Sequence, residues 1–221
     1  MGSIVTLKAA DGFSLSAYTA GSADAKAGLV VVQEIFGVNH HVRDMADRFA
    51  AAGYCACAPA IFDRAEPGVE LGYTPDDIAK GRDYRMKLTD AQVMADIEAA
   101  AAFLGARKLG IVGYCFGGTV AWWGATRTTK FAASCCWYGG GIAGSKEERP
   151  NCPVQMHFGE KDASIPMSDV EAVRMAQPKA ETYVYPGAGH GFGCDDRGSF
   201  DKPSYELAQK RTLDFFAKHL G

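Results

Sequence analysis

Short unbroken apolar runs alternate along the chain with longer stretches whose apolar positions recur every three or four residues. Runs of the first kind suit strands covered on both faces, and the longer period suits helices with one buried side. Leu29–Gln33, Tyr54–Ala58, Lys108–Gly113, Phe131–Tyr138, Val154–Phe158 and Glu181–Tyr185 read as strands. A helix is expected to open at Asn39–Arg43 and end at Ala52, with Gly53 in the position where a left-handed residue closes a helix. Ile61–Tyr73 is rich in glycine, proline and charge and reads as loop. Thr74-Pro75-Asp76-Asp77 has the form of an N-cap followed by proline at the first helical position. Thr89-Asp90 opens an alanine-rich helix to Phe103, with Val93, Ile97 and Ala101 on one face. Gly117–Thr126, Ser168–Ala176 and Tyr205–Leu220 read as helices as well.

This alternation, without an internal repeat or a low-complexity linker, indicates the α/β class. The expectation is a mostly parallel sheet of about eight strands with helices on both faces, in one domain over residues 1–221. Such sheets place their sites beyond the carboxyl ends of the strands. The residues that follow each strand are therefore where chemistry is sought.

Composition narrows the classes. A chain of 221 residues with 48% hydrophobic and 22% charged residues is neither disordered nor fibrous. A net charge of −3 gives no general field for nucleic acid or an anionic membrane. The longest apolar run, Leu29–Val32, is far short of a bilayer span, and Met1–Ala10 lacks the form of a secretory signal. The seven cysteines, Cys55, Cys57, Cys115, Cys135, Cys136, Cys152 and Cys194, include no C-x-x-C pair, which argues against a zinc site. The expectation is a cytoplasmic monomer whose partner is a small molecule, with no cofactor and no metal.

One segment carries sharper chemistry. Gly113-Tyr-Cys-Phe-Gly-Gly118 follows an apolar strand and precedes a helix. It has the G-x-nucleophile-x-G form of a nucleophile elbow, with Cys115 in the nucleophile slot, and so implies an α/β-hydrolase fold. Strand and helix pass closely at such a turn, which is why glycines flank it. The helix N-terminus favours a thiolate there. Asp162, in Gly159-Glu-Lys-Asp-Ala163, and His190, in Gly187-Ala-Gly-His-Gly-Phe192, each follow a strand, in the order nucleophile, acid, histidine. Asp169, Asp195 and His157 are weaker alternatives, and His157, inside an apolar strand, reads as a core histidine with satisfied nitrogens. Gln33-Glu34-Ile35-Phe36-Gly37 leaves the end of a strand, and in this architecture that loop supplies one oxyanion-hole N–H, the residue after the nucleophile, Phe116, supplying the other. Arg82 fits either a surface charge or an anion anchor.

With these motifs the chain resembles the dienelactone hydrolase (carboxymethylenebutenolidase) family. The resemblance rests on Gln33-Glu-Ile-Phe-Gly-Val-Asn39, Gly113-Tyr-Cys115, Gly117-Gly118, Tyr138-Gly139, Asp162, Ala188-Gly-His190 with Phe192, and Arg211-Thr-Leu-Asp-Phe215. It implies a Cys115–His190–Asp162 triad, Glu34 near the thiol, oxyanion donors on Ile35 and Phe116, and substrate contacts at Arg82, Tyr84, Tyr138 and Phe36. The implied activity is hydrolysis of a small lactone or carboxylic ester through a thioester. In the family's type reaction two arginines bind the substrate carboxylate. Arg82 matches the first, whereas the position of the second, four residues after the histidine, is Cys194, with Arg197 close by. A different class, a non-catalytic or redox-sensing protein on the same scaffold, is the alternative reading.

Overall fold

The computed structural model describes residues 2–105 and 107–221, in which eight strands form a mostly parallel sheet accompanied by six α-helices. The chain divides into two compact units, Met1–Ile111 and Val112–Gly221.

In the first unit β1 (Ser3–Lys8) and β2 (Ser14–Ala20) form an antiparallel hairpin, with Ser3 opposite Thr19 and Lys8 opposite Ser14. β2 runs antiparallel to β4 (Cys55–Pro59), and β4 runs parallel to β3 (Ala27–Val32). Every residue of β3 and β4 is buried, which is why both are visible as continuous apolar runs. The hairpin is not among the strands read from the sequence. In β1 only Leu7 is buried, so an exposed strand leaves no apolar run to find.

Helix α1 (His40–Ala51) starts where Asn39 accepts a hydrogen bond from the Val42 amide and buries Val42, Met45, Ala46 and Phe49. Gly53 closes it at φ 96°. Helices α2 (Pro75–Met86) and α3 (Asp90–Leu104) both carry capping boxes, Thr74 with Asp77 and Thr89 with Gln92. The expected loop over 61–73 begins with a 3₁₀ turn at Ile61–Arg64. Its Arg64 is nearly buried and forms two 2.8 Å bonds to the fully buried Asp96 and a third to Asp11. β5 (Lys108–Tyr114) runs across the division between the units.

In the second unit α4 (Phe116–Arg127) follows β5 directly. β6 (Ala133–Trp137), β7 (Val154–Gly159) and β8 (Glu181–Tyr185) are parallel neighbours, with Trp137 level with His157 and Gly159 level with Tyr185. The segments leaving these strands, which carry Tyr138, Asp162 and His190, therefore emerge along one edge. α5 (Met167–Ala176) connects β7 to β8, and α6 (Lys202–Leu220) starts three residues before the expected Tyr205 because Asp201 caps it by accepting the Ser204 amide. Trp122, Trp137, Tyr138, Phe158, Phe192 and Phe216 fill the core of this unit. Among the described residues no helix is long and apolar enough to cross a membrane.

Candidate active site

Cys115 sits between the last residue of β5 and the first of α4 with φ 55° and ψ −117°. Among the described residues only Cys115 and Tyr138 (φ 37°) combine a side chain with positive φ. Such backbone costs on the order of 1–3 kcal/mol and persists only where its surroundings enforce it. At Cys115 they do. Its amide donates to the Trp137 carbonyl at 3.0 Å, and its own carbonyl accepts from Gly118 at 2.9 Å. A methyl group on Gly113 would run into the Gly117 carbonyl, and one on Gly118 into that of Trp137. The glycines of the elbow are thus required by close backbone approach, as the sequence implies. The turn leaves Cys115 part-exposed, at the positive end of a 12-residue helix.

Nε2 of His190 lies 3.2 Å from the Cys115 sulfur, and Nδ1 lies 2.7 Å from Oδ2 of Asp162. Asp162 is buried, and its other oxygen accepts the amides of Ser164 (2.8 Å) and Ile165 (3.1 Å), which aims Oδ2 at the imidazole. The loops carrying the two residues are joined. Lys161 donates its amide to the Ala188 carbonyl, Glu160 to that of Tyr185, and the Glu160 carboxylate accepts the Gly187 amide. Gly159 makes this approach possible, since a Cβ there would sit 2.5 Å from the Ala188 oxygen and 2.8 Å from that of Gly189. Burial pulls the His190 pKa down, but the bonds to Asp162 and Cys115 outweigh it and hold the group up at about 10. Tyr138 packs edge-on against the His190 ring at 5.2 Å.

The structure thus brings together Cys115, His190, Asp162 and Tyr138, with Phe116 opening the helix behind the sulfur. Of the weaker alternatives, His157 is fully buried with partners on both nitrogens, as expected of a core histidine. Asp195 is exposed, and Asp169 lies in the first turn of α5. Cys194 is buried, while the Arg197 guanidinium lies against Gly191, the residue after the histidine. In the first unit Glu34 and Phe36 are buried, and the Ile35 carbonyl is pressed by α2 at Gly81, where a side chain would clash with it. Arg82 is exposed on α2, and the Tyr84 hydroxyl donates to Glu66 at 2.7 Å. The Trp137 carbonyl as anchor of the nucleophile turn is a feature the sequence does not reveal. It depends on a neighbouring strand far away in sequence, and no local motif marks it.

A sulfur, an imidazole and a carboxylate in this order can transfer a proton from the thiol and carry out acyl transfer. The dienelactone hydrolase family model matches residues 15–220. The chain belongs to the dienelactone hydrolase family. A relative from Synechocystis sp. named "Putative carboxymethylenebutenolidase" is 36% identical over 212 residues, covering 87% of this chain and 86% of its own. One of the same name from Escherichia coli is 34% identical over 213 residues, covering 87% and 77%. The crystal structure titled "Putative Dienelactone Hydrolase" from Klebsiella pneumoniae superposes with a TM-score of 0.83 at 32% identity, covering 98% of this chain and 99% of that one. This member of the dienelactone hydrolase family has the α/β-hydrolase fold and is an enzyme, a carboxylic ester hydrolase of the carboxymethylenebutenolidase-like kind. The redox-sensing alternative is not favoured by these likenesses.

Proposed function

We propose that this enzyme hydrolyses a small lactone or carboxylic ester through a thioester on Cys115. The observation that carries the reading is the pair of contacts Sγ–Nε2 at 3.2 Å and Nδ1–Oδ2 at 2.7 Å, built on a strained turn at a helix N-terminus. His190 takes the thiol proton, the thiolate attacks the carbonyl carbon, and the alcohol leaves with a proton from the imidazolium. His190 then activates water to cleave the thioester, while Asp162 holds the ring and stabilises its charged form. The Phe116 amide, first in the helix after Cys115, would donate to the developing oxyanion.

For Glu34 as a brake on the thiolate, Ile35 as second oxyanion donor, and Arg82, Tyr84 and Phe36 as substrate contacts, the support is the family pattern. Tyr138 has in addition its packing on His190. Arg197, with its guanidinium against Gly191, stands in for the arginine that Cys194 replaces and contacts the carboxylate of an anionic substrate. A thiol nucleophile stays reduced in the cytoplasm, where we place the enzyme, acting as a monomer on a small molecule.

The test is a panel of lactones and short aryl esters, with and without a carboxylate. We expect a burst of product with an activated aryl ester and the loss of about three orders of magnitude or more in kcat in Cys115→Ala. Activity retained in that variant ends the nucleophile assignment. Arg197→Ala and Arg82→Ala should raise KM for carboxylated substrates well above that for neutral ones, and equal changes would remove these residues from carboxylate recognition. Glu34→Gln should speed alkylation of Cys115, and an unchanged rate would count against the brake.

A further inference from the structure

A second group of polar side chains, buried at Gln155, His157, Tyr185 and Thr212 and ending at half-buried Arg211 and Glu181, lies in the second unit. His157 on β7 places Nδ1 2.7 Å from the Tyr185 hydroxyl and Nε2 2.9 Å from Oε1 of Gln155. The Gln155 amide nitrogen donates to the Glu181 carboxylate at 2.9 Å. A carboxylate only accepts, so the amide nitrogen must face Glu181 and the amide oxygen must face His157. Nε2 of His157 therefore carries the proton, Nδ1 is bare, and the Tyr185 hydroxyl donates to it. The Tyr185 oxygen in turn accepts from the Arg211 guanidinium at 3.3 Å. The result is a directed chain of donors from a cation to an anion, Arg211 to Tyr185 to His157 to Gln155 to Glu181, with one consistent polarity. Thr212 adds a branch, lying 3.2 Å from Nε2 of His157 and accepting the Trp137 indole N–H at 3.2 Å. Burial, with the Arg211 charge, pushes the His157 pKa down to about 3 and the Tyr185 pKa is raised to about 12, so both stay neutral in the range where the enzyme would work.

We infer that Tyr185 and His157 are positioning residues for His190, Tyr185 holding both ends of the loop that carries the imidazole and His157 fixing Tyr185. The Tyr185 carbonyl accepts the amides of Ala188 and Glu160 where the loop begins. Its ring packs at 5.0 Å on Phe192, where the loop ends, and Phe192 is wedged further against Trp137 and Tyr138. Trp137 is also the residue whose carbonyl anchors Cys115. A phenol free to rotate or shift would release the far end of the loop, and an offset of about 1 Å at the base is enough to cost on the order of a hundredfold in rate.

This inference rests on His190 acting as the base, and its test separates the two. In Tyr185→Phe the ring stays and only the hydroxyl is lost. We expect kcat on an activated aryl ester to fall about tenfold with KM little changed. The pKa of His190, read from its ring resonances and from the pH dependence of Cys115 alkylation, should move down as its bonds to Asp162 and Cys115 loosen. His157→Leu should behave alike, whereas His157→Asn, whose side-chain oxygen can accept from Tyr185 where Nδ1 did, should recover part of the loss. A Tyr185→Phe protein that melts lower but keeps the kcat and the His190 pKa of the parent would reduce Tyr185 to a structural residue and overturn the inference. So would a nitrogen-15 spectrum of the parent protein showing the proton of His157 on Nδ1, a measurement that needs no variant to fold. If the parent hydrolyses none of the esters, the proposed function fails, yet the His190 pKa and the alkylation profile still decide this question.

Discussion

His190 binds its proton more tightly in the folded chain than an unfolded histidine does, because its bonds to Asp162 and Cys115 outweigh the effect of burial. The folded value of about 10 lies above the ordinary value of about 6.5, so the associated stabilisation is complete below about pH 6.5 and is lost as pH rises through about 10. The difference in unfolding free energy between the parent and His190→Gln, from urea titrations, should be largest near pH 6 and shrink by a few kcal/mol towards the alkaline end, where the neutral imidazole keeps only its bond to Asp162 and its packing. A difference that grows with pH would contradict the hydrogen bonding described. Gly159 offers a second check. A methyl group there meets two backbone carbonyls of the histidine loop, and backbone cannot swing aside as a side chain can. Gly159→Ala should lower kcat about a hundredfold with KM nearly kept, as steady-state kinetics would show. Cys115, Asp162 and His190 were legible in the sequence because each follows a strand in a known order. The chain from Arg211 to Glu181 was not, because it joins residues from β7, β8 and α6 that no short motif connects.

Strands buried on both faces and helices with matched caps account for most of the agreement between pattern and structure. β3 and β4 announce themselves as apolar runs, and Asn39, Thr74 and Thr89 each mark a helix start that the hydrogen bonds bear out. The hairpin of β1 and β2 leaves no such run in the sequence because its first strand faces outward at nearly every position. The caps also carry energy. Thr89→Ala should destabilise the protein by about 1 kcal/mol in urea unfolding, since the Gln92 amide at the start of α3 loses the hydroxyl that accepts from it and the Gln92 side chain loses one of its two donors. A larger loss is expected where the 3₁₀ turn meets α3. Asp96→Ala leaves Arg64, 5% exposed in its side chain, with Asp11 as its remaining carboxylate and the Phe13 ring beneath it, so the loss should lie near the low end of the about 3–5 kcal/mol that breaking a buried ion pair costs.

Over the entire chain, seven thiols differ sharply in access. Cys55, Cys57, Cys135, Cys136 and Cys194 are buried, and Cys115 and Cys152 are part-exposed. Burial pushes the Cys152 thiol up to about 11, while Cys115 has an imidazole at 3.2 Å. Iodoacetamide under native conditions should therefore label Cys115 first, Cys152 more slowly and the other five only after unfolding, as peptide mass spectrometry would reveal. Early labelling of Cys135 or Cys136 would mean that the core opens. The parallel register of β6, β7 and β8 has one more outcome. Since all the reactive groups of this unit leave by the carboxyl ends, the amino ends of β7 and β8 border a separate groove of about 570 Å³ between Pro150–Val154 and Ala176–Ala180. Lys179 on that rim is exposed and distant in function from the chemistry. A bead or dye tethered at Lys179 would leave the opposite face turned to solution, giving an immobilised catalyst that keeps its turnover.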